Sequence, residues 1–89
     1  MPVENEGAIF GERLRELRVA RNLTQTELAE RCGSNRQFIG DLERGVKVPS
    51  PTMVLRLAEA LECRVYDLVK VFDSSAPHPA RRFERTNRN

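Results

Sequence analysis

Eighty-nine residues, 39% hydrophobic and 31% charged, make one small globular domain rather than several. No apolar run reaches transmembrane length and no charged-then-apolar leader is present, so a soluble, cytoplasmic chain with no membrane partner is expected. The net charge of +2 is unevenly spread: residues 1–71 hold 11 basic and 11 acidic side chains, and 72–89 hold four Arg against two acids, so only the arrangement of charge on one face can argue for a polyanionic partner.

Residues 1–8 lack periodicity and are expected to be a flexible N-terminus. From about Ile9 to Arg21, Phe10, Leu14, Leu17 and Ala20 or Arg21 recur at 3.6-residue spacing, which predicts a helix that stops at Asn22. Thr24 and Glu27 form a T-x-x-E capping box, so a second helix begins at Gln25. It buries Leu28, Ala29 and Cys32 and ends at Gly33, where only Gly turns left-handed without steric cost. Asn35 is the expected N-cap of a third helix, with Ser34 the alternative one residue earlier. Phe38 or Ile39, together with Leu42, then packs on the Leu28 face, leaving Arg36, Gln37, Gly40, Asp41 and Arg44 outward.

Gly45 to Ser50 reads as a loop, and Ser50 followed by Pro51 as an N-cap with proline at the first helical position. The fourth helix places Val54, Leu57, Ala58 and Leu61 on one stripe. A short fifth helix, about Val65 to Phe72, repeats the pattern with Val65, Leu68, Val69 and Phe72. Apart from the ambiguous stretch Val65 to Val71, no segment alternates with a period of two, which favours an all-α fold. Residues 73–89 carry Pro77, Pro79 and four Arg with almost no apolar side chains, and are expected to form a disordered basic tail.

Cys32 and Cys63 have no metal-ligand spacing and read as reduced thiols, so neither a metal nor a cofactor is expected. His78, the single histidine, lies between two prolines in the tail, and there is no phosphate-binding glycine loop; an enzyme is not expected. The chemistry lies instead at the start of the third helix. Arg matches the two acceptors of guanine and Gln the donor and acceptor of adenine, so Arg36 and Gln37 suit base reading in the major groove. Asp41 can accept from a cytosine amino group or orient a neighbouring Arg.

The run LTQTELAERCGSNRQFIGDLERG, Leu23 to Gly45, resembles the helix-turn-helix family of Cro and the phage repressors, also called the xenobiotic-response-element family. The similarity extends from about Phe10 in FGERLRELRVARNLTQ to about Leu68 in LAEALECRVYDL. Ser34 departs from it, since members usually place an apolar residue after the turn glycine. The resemblance implies a compact five-helix lambda-repressor-like domain over residues 9–72, with the motif at 25–44. It further implies that Gln25 holds a DNA phosphate and that Arg18 and Glu43 form an ion pair tying the first helix to the end of the third. Asn35, Arg44 and Lys47 border the reading helix and are the other phosphate candidates.

One such unit touches only a few base pairs, which points to a homodimer on a two-fold site of double-stranded DNA. The fourth and fifth helices carry more apolar side chains than one stripe each requires, and Val65, Tyr66, Val69 and Phe72 are the candidate dimer interface. The expected function is a transcriptional regulator on an inverted-repeat operator. A restriction-modification controller, an antitoxin with a toxin partner, and a protein-interaction adaptor using the C-terminal helices are the alternatives.

Overall fold

The second to fifth helices each begin where a side chain accepts from a free backbone amide. The Glu27 amide donates to Thr24 Oγ1 at 3.0 Å while the Thr24 amide donates to Glu27 Oε1 at 2.8 Å, closing the expected capping box. Asn35, not Ser34, caps the third helix, its Oδ1 accepting from the Phe38 amide at 2.9 Å, and Ser50 Oγ does the same for Met53 at 3.1 Å. At the fifth helix Asp67 reaches back to the Arg64 amide at 2.9 Å, and chiefly that bond holds its carboxyl below the usual aspartate value.

The computed structural model describes residues 6–75, which form α1 (Glu6–Ala20), α2 (Gln25–Cys32), α3 (Arg36–Glu43), α4 (Pro51–Ala60) and α5 (Val65–Ser75), with no strand among them. The stretch Val65 to Val71, ambiguous by pattern, is therefore helical. Two boundaries differ from expectation. Residues 6–8 belong to α1 instead of the lead-in, and α5 continues through 73–75; the flexibility expected for the first five residues and the disorder expected beyond residue 75 lie outside the described residues.

The first four helices all stop in the same way. A left-handed residue follows each, Asn22 (φ 60°), Gly33 (φ 73°), Gly45 (φ 78°) or Glu62 (φ 57°), and its amide and the next one return to the last turn. After α2 the Ser34 amide donates to Ala29 O at 2.8 Å, and after α3 the Val46 amide donates to Asp41 O at 2.9 Å. These bonds satisfy carbonyls that a helix end leaves orphaned. Gly33 and Gly45 occupy the conformation without strain, whereas Glu62 does so despite its Cβ.

Leu14, Leu28, Ile39, Leu42, Leu57, Leu61 and Leu68 are fully buried, so all five helices contribute to one core. The joint between α2 and α3 is Ile39 and Leu42, with Phe38 only half-buried at its edge. Ala20 and Arg21, the two alternatives for the last place on the α1 stripe, are both exposed, because the helix ends there and the chain turns inward at Leu23. Cys32 is buried and Cys63 half-buried; both are free, and burial is the main reason both thiols titrate above their ordinary value.

α1 and α3 approach backbone to backbone. A methyl at Gly11 would overlap Leu42 O and lie 2.5 Å from Glu43 O, and one at Gly7 would lie 2.9 Å from Gly45 O. These glycines, one helical turn apart, set how near α1 lies to the end of α3. Because the obstacle is main chain and cannot rotate away, Gly11→Ala is expected to cost about 3 kcal/mol, the upper end of overpacking penalties. Thermal unfolding should then show a midpoint lowered by roughly 12–24 °C; an unchanged midpoint would mean that the two helices can part freely.

Candidate nucleic-acid interface

Capping by Asn35 leaves Arg36 and Gln37 in the first turn of α3, both exposed. Arg36 has no hydrogen bond or ion pair among the described residues, so its guanidinium is available to a ligand. The turn and the first turn of α3, Ser34 to Phe38, form one wall of an open groove of about 740 Å3, whose other side is Lys47 and Met53. Amides at a helix start and two cations thus border one concavity, an arrangement suited to an anion.

Asp41 does not face outward, contrary to the expectation from helical position. It is 7% exposed, because the chain leaving α3 folds back over it. The amides of Val46 and Lys47 donate to its carbonyl, at 2.9 and 3.3 Å, and its carboxylate gathers the side chains around it. Arg44 Nη2 is 2.5 Å from Oδ1, Gln37 Nε2 donates to the same oxygen at 3.4 Å, and Lys47 Nζ is 3.5 Å from Oδ2. Lys47 Nζ also lies 5.7 Å from the centroid of the Phe38 ring, a cation–π contact. Gly40 is buried as well, beneath the Arg44 and Gln25 side chains. Asp41 therefore lacks the exposure that direct base reading requires, while Gln37, Arg44 and Lys47 converge on it.

A second cluster stands behind the first. Arg18 meets Glu43 in a two-pronged pair, Nε to Oε2 at 2.6 Å and Nη2 to Oε1 at 3.1 Å, with only 12% and 5% of the two side chains exposed. Arg18 Nη1 also donates to Leu23 O at 2.8 Å, and Gln25 Nε2 donates to Glu43 Oε1 at 3.0 Å. Gln25, the phosphate candidate at the start of α2, thereby has its amide group oriented by the end of α3. Arg13, Arg21 and Arg31 are occupied elsewhere, donating to the carbonyls of Asp67, Glu62 and Ala60.

The four residues of the expected dimer face divide. Val65 and Tyr66 are exposed, whereas Val69 and Phe72 are half-buried against the core; Tyr66, Val69, Phe72 and Asp73 line a hollow of about 420 Å3. Ser34, Phe38 and Met53 were not foreseen as walls of the groove. Their signal was weak, since Ser34 lies in the turn and Phe38 and Met53, the third residues of α3 and α4, are explained by packing alone.

A helix-turn-helix family model matches residues 14–68 of the chain. The control protein C.BamHI of Bacillus amyloliquefaciens is 32% identical over 62 residues, 68% of this chain and 76% of that protein. Among solved structures, the restriction-modification controller protein C.AhdI from Aeromonas hydrophila is 38% identical with a TM-score of 0.73, covering 76% of this chain and 99% of that one. The clp gene regulator ClgR from C. glutamicum is 28% identical with a TM-score of 0.72, covering 88% of this chain and 100% of that one.

Removing one partner of the Arg18–Glu43 pair leaves a largely buried charge uncompensated. Arg18→Ala is expected to lower stability by about 3 kcal/mol. Replacing both residues by apolar ones of similar volume should cost less than Arg18→Ala alone; chemical denaturation of the two variants checks the order, and equal stability of Arg18→Ala and wild type would refute the bracing role.

Proposed function

The chain belongs to the helix-turn-helix family of transcriptional regulators that includes Cro-like and phage-repressor proteins, and from that premise we propose that it binds an inverted-repeat operator in double-stranded DNA as a homodimer. One observation carries the reading. The exposed first turn of α3, with Arg36 unpaired among the described residues, adjoins a groove bordered by Lys47 and by the start of α3. Arg36 and Gln37 read bases from the major groove. Gln25, Asn35, Arg44 and Lys47 engage phosphates and fix the register.

The second copy joins through the outer face of α5. Exposed Val65 and Tyr66 form its centre, and the hollow beside Val69 and Phe72 receives the partner's side chains. Two recognition helices related by a two-fold axis then meet half-sites about 34 Å apart. A restriction-modification controller is the narrower role favoured by the likeness to C.BamHI and C.AhdI, which extends over most of both proteins.

Selection of bound sequences from random duplexes tests the whole reading, the expected product being an inverted repeat spaced by one helical turn. No enriched sequence, or an asymmetric one, would overturn it. On the selected site Arg36→Ala should relax preference at one base position and cost about 1–3 kcal/mol. Lys47→Ala should instead weaken all sequences by a similar factor and flatten the salt dependence. An equal loss on every sequence for Arg36→Ala would exclude base reading by that residue.

A further inference from the structure

We propose that Asp41 is an internal competitor for DNA phosphate, restraining the affinity of this face for unrelated sequence while it positions Gln37 for base reading. The inference rests on the DNA-binding reading above and assigns to Asp41 a role distinct from contact. Its carboxylate touches Arg44 and Lys47, two of the cations expected to meet the DNA backbone, and the base-reading candidate Gln37. Both cations remain more than half exposed, so a phosphate can reach them, but only by sharing or displacing the Asp41 oxygens.

That sharing acts on every sequence alike. Counterion release by Arg44 and Lys47 is incomplete as long as a carboxylate already neutralises them in the free protein. Gln37 behaves differently. A donor bond from its Nε2 to Asp41 limits the rotamers of the amide before DNA arrives, which lowers the ordering cost of reading a base. Asp41 thus weakens binding that depends on phosphates alone and favours binding that includes a base contact.

The test is Asp41→Asn, which keeps the shape and removes the charge. Binding is measured by anisotropy across a salt series, on the selected operator and on an unrelated duplex of the same length. The variant is expected to bind the unrelated duplex about fivefold tighter, with a salt slope steeper by up to about 0.9, the value for the one charge removed. Asp41→Ala, which also removes the oxygen that accepts from Gln37 Nε2, should in addition lower the preference for the operator by about tenfold, and an unchanged preference would overturn the positioning of Gln37. Adding Arg44→Gln and Lys47→Gln to Asp41→Asn should abolish the gain on the unrelated duplex.

Unchanged or weaker binding of Asp41→Asn to the unrelated duplex overturns the proposal, as does a gain that persists without the two cations. If Asp41→Asn does not fold, Arg44→Gln/Lys47→Gln in the native background decides: the slope should fall by clearly less than about 1.8, the value for two free cations, and a full loss of 1.8 overturns it. Failure of the wild-type protein to select any sequence instead overturns the DNA-binding reading itself, a separate outcome.

Discussion

The Glu43 carboxylate is the point at which three helices are tied. It closes α3, accepts two bonds from Arg18 near the end of α1 and a third from Gln25 at the start of α2. Arg18 extends the tie to the Leu23 carbonyl, the residue that turns the chain from α1 into α2. Because both charges are largely withdrawn from water, their bonds are directional and strongly constrained. The relative placement of the α2 start and the α3 end follows, and with it the placement of every side chain expected on DNA.

The glycine contact and the ion pair act on the same junction by different means. Gly7 and Gly11 remove bulk so that α1 can lie against the carbonyls at the end of α3, and Arg18 then reaches Glu43 from one face of the same helix. Dispersion and chain geometry fix the distance, and the charge pair fixes the rotation. Beyond the junction, Asp41 organises the loop to Lys47 through its carbonyl and its carboxylate together. A short connection is thereby held firmly although Val46 and Val48 on it are exposed.

Much of this was legible in the residues. Capping pairs, left-handed stops and 3.6-residue stripes are local signals, and they placed α2, α3 and α4 almost to the residue because backbone chemistry within four positions determines them. What was not legible depends on contacts that an apolar stripe does not encode. Periodicity put Asp41 on the outer face of α3, but the Gln37, Arg44 and Lys47 side chains gather on its carboxylate and the amides of Val46 and Lys47 return to its carbonyl. Ala20 fitted the α1 stripe yet is exposed, since a stripe continues in pattern after its packing partner has ended. The Gly7 and Gly11 pair, costly inside a helix, was a readable sign of close approach that composition alone did not decode. On α5, four apolar residues could not be divided between core and surface until Leu68 was seen to take the central buried place.

The brevity of α3 has a consequence best expressed as information. Eight helical residues span about 12 Å, so in the proposed mode of reading one copy would inspect roughly three or four base pairs, or some six to eight bits. Finding one site among the ~10⁶ or more competitors in a genome requires about twenty bits. The proposed pair of copies would supply at most about sixteen, leaving a deficit to be met by DNA deformability between the half-sites or by the number of molecules present. A reader this short is suited to a system in which its own concentration is part of the signal.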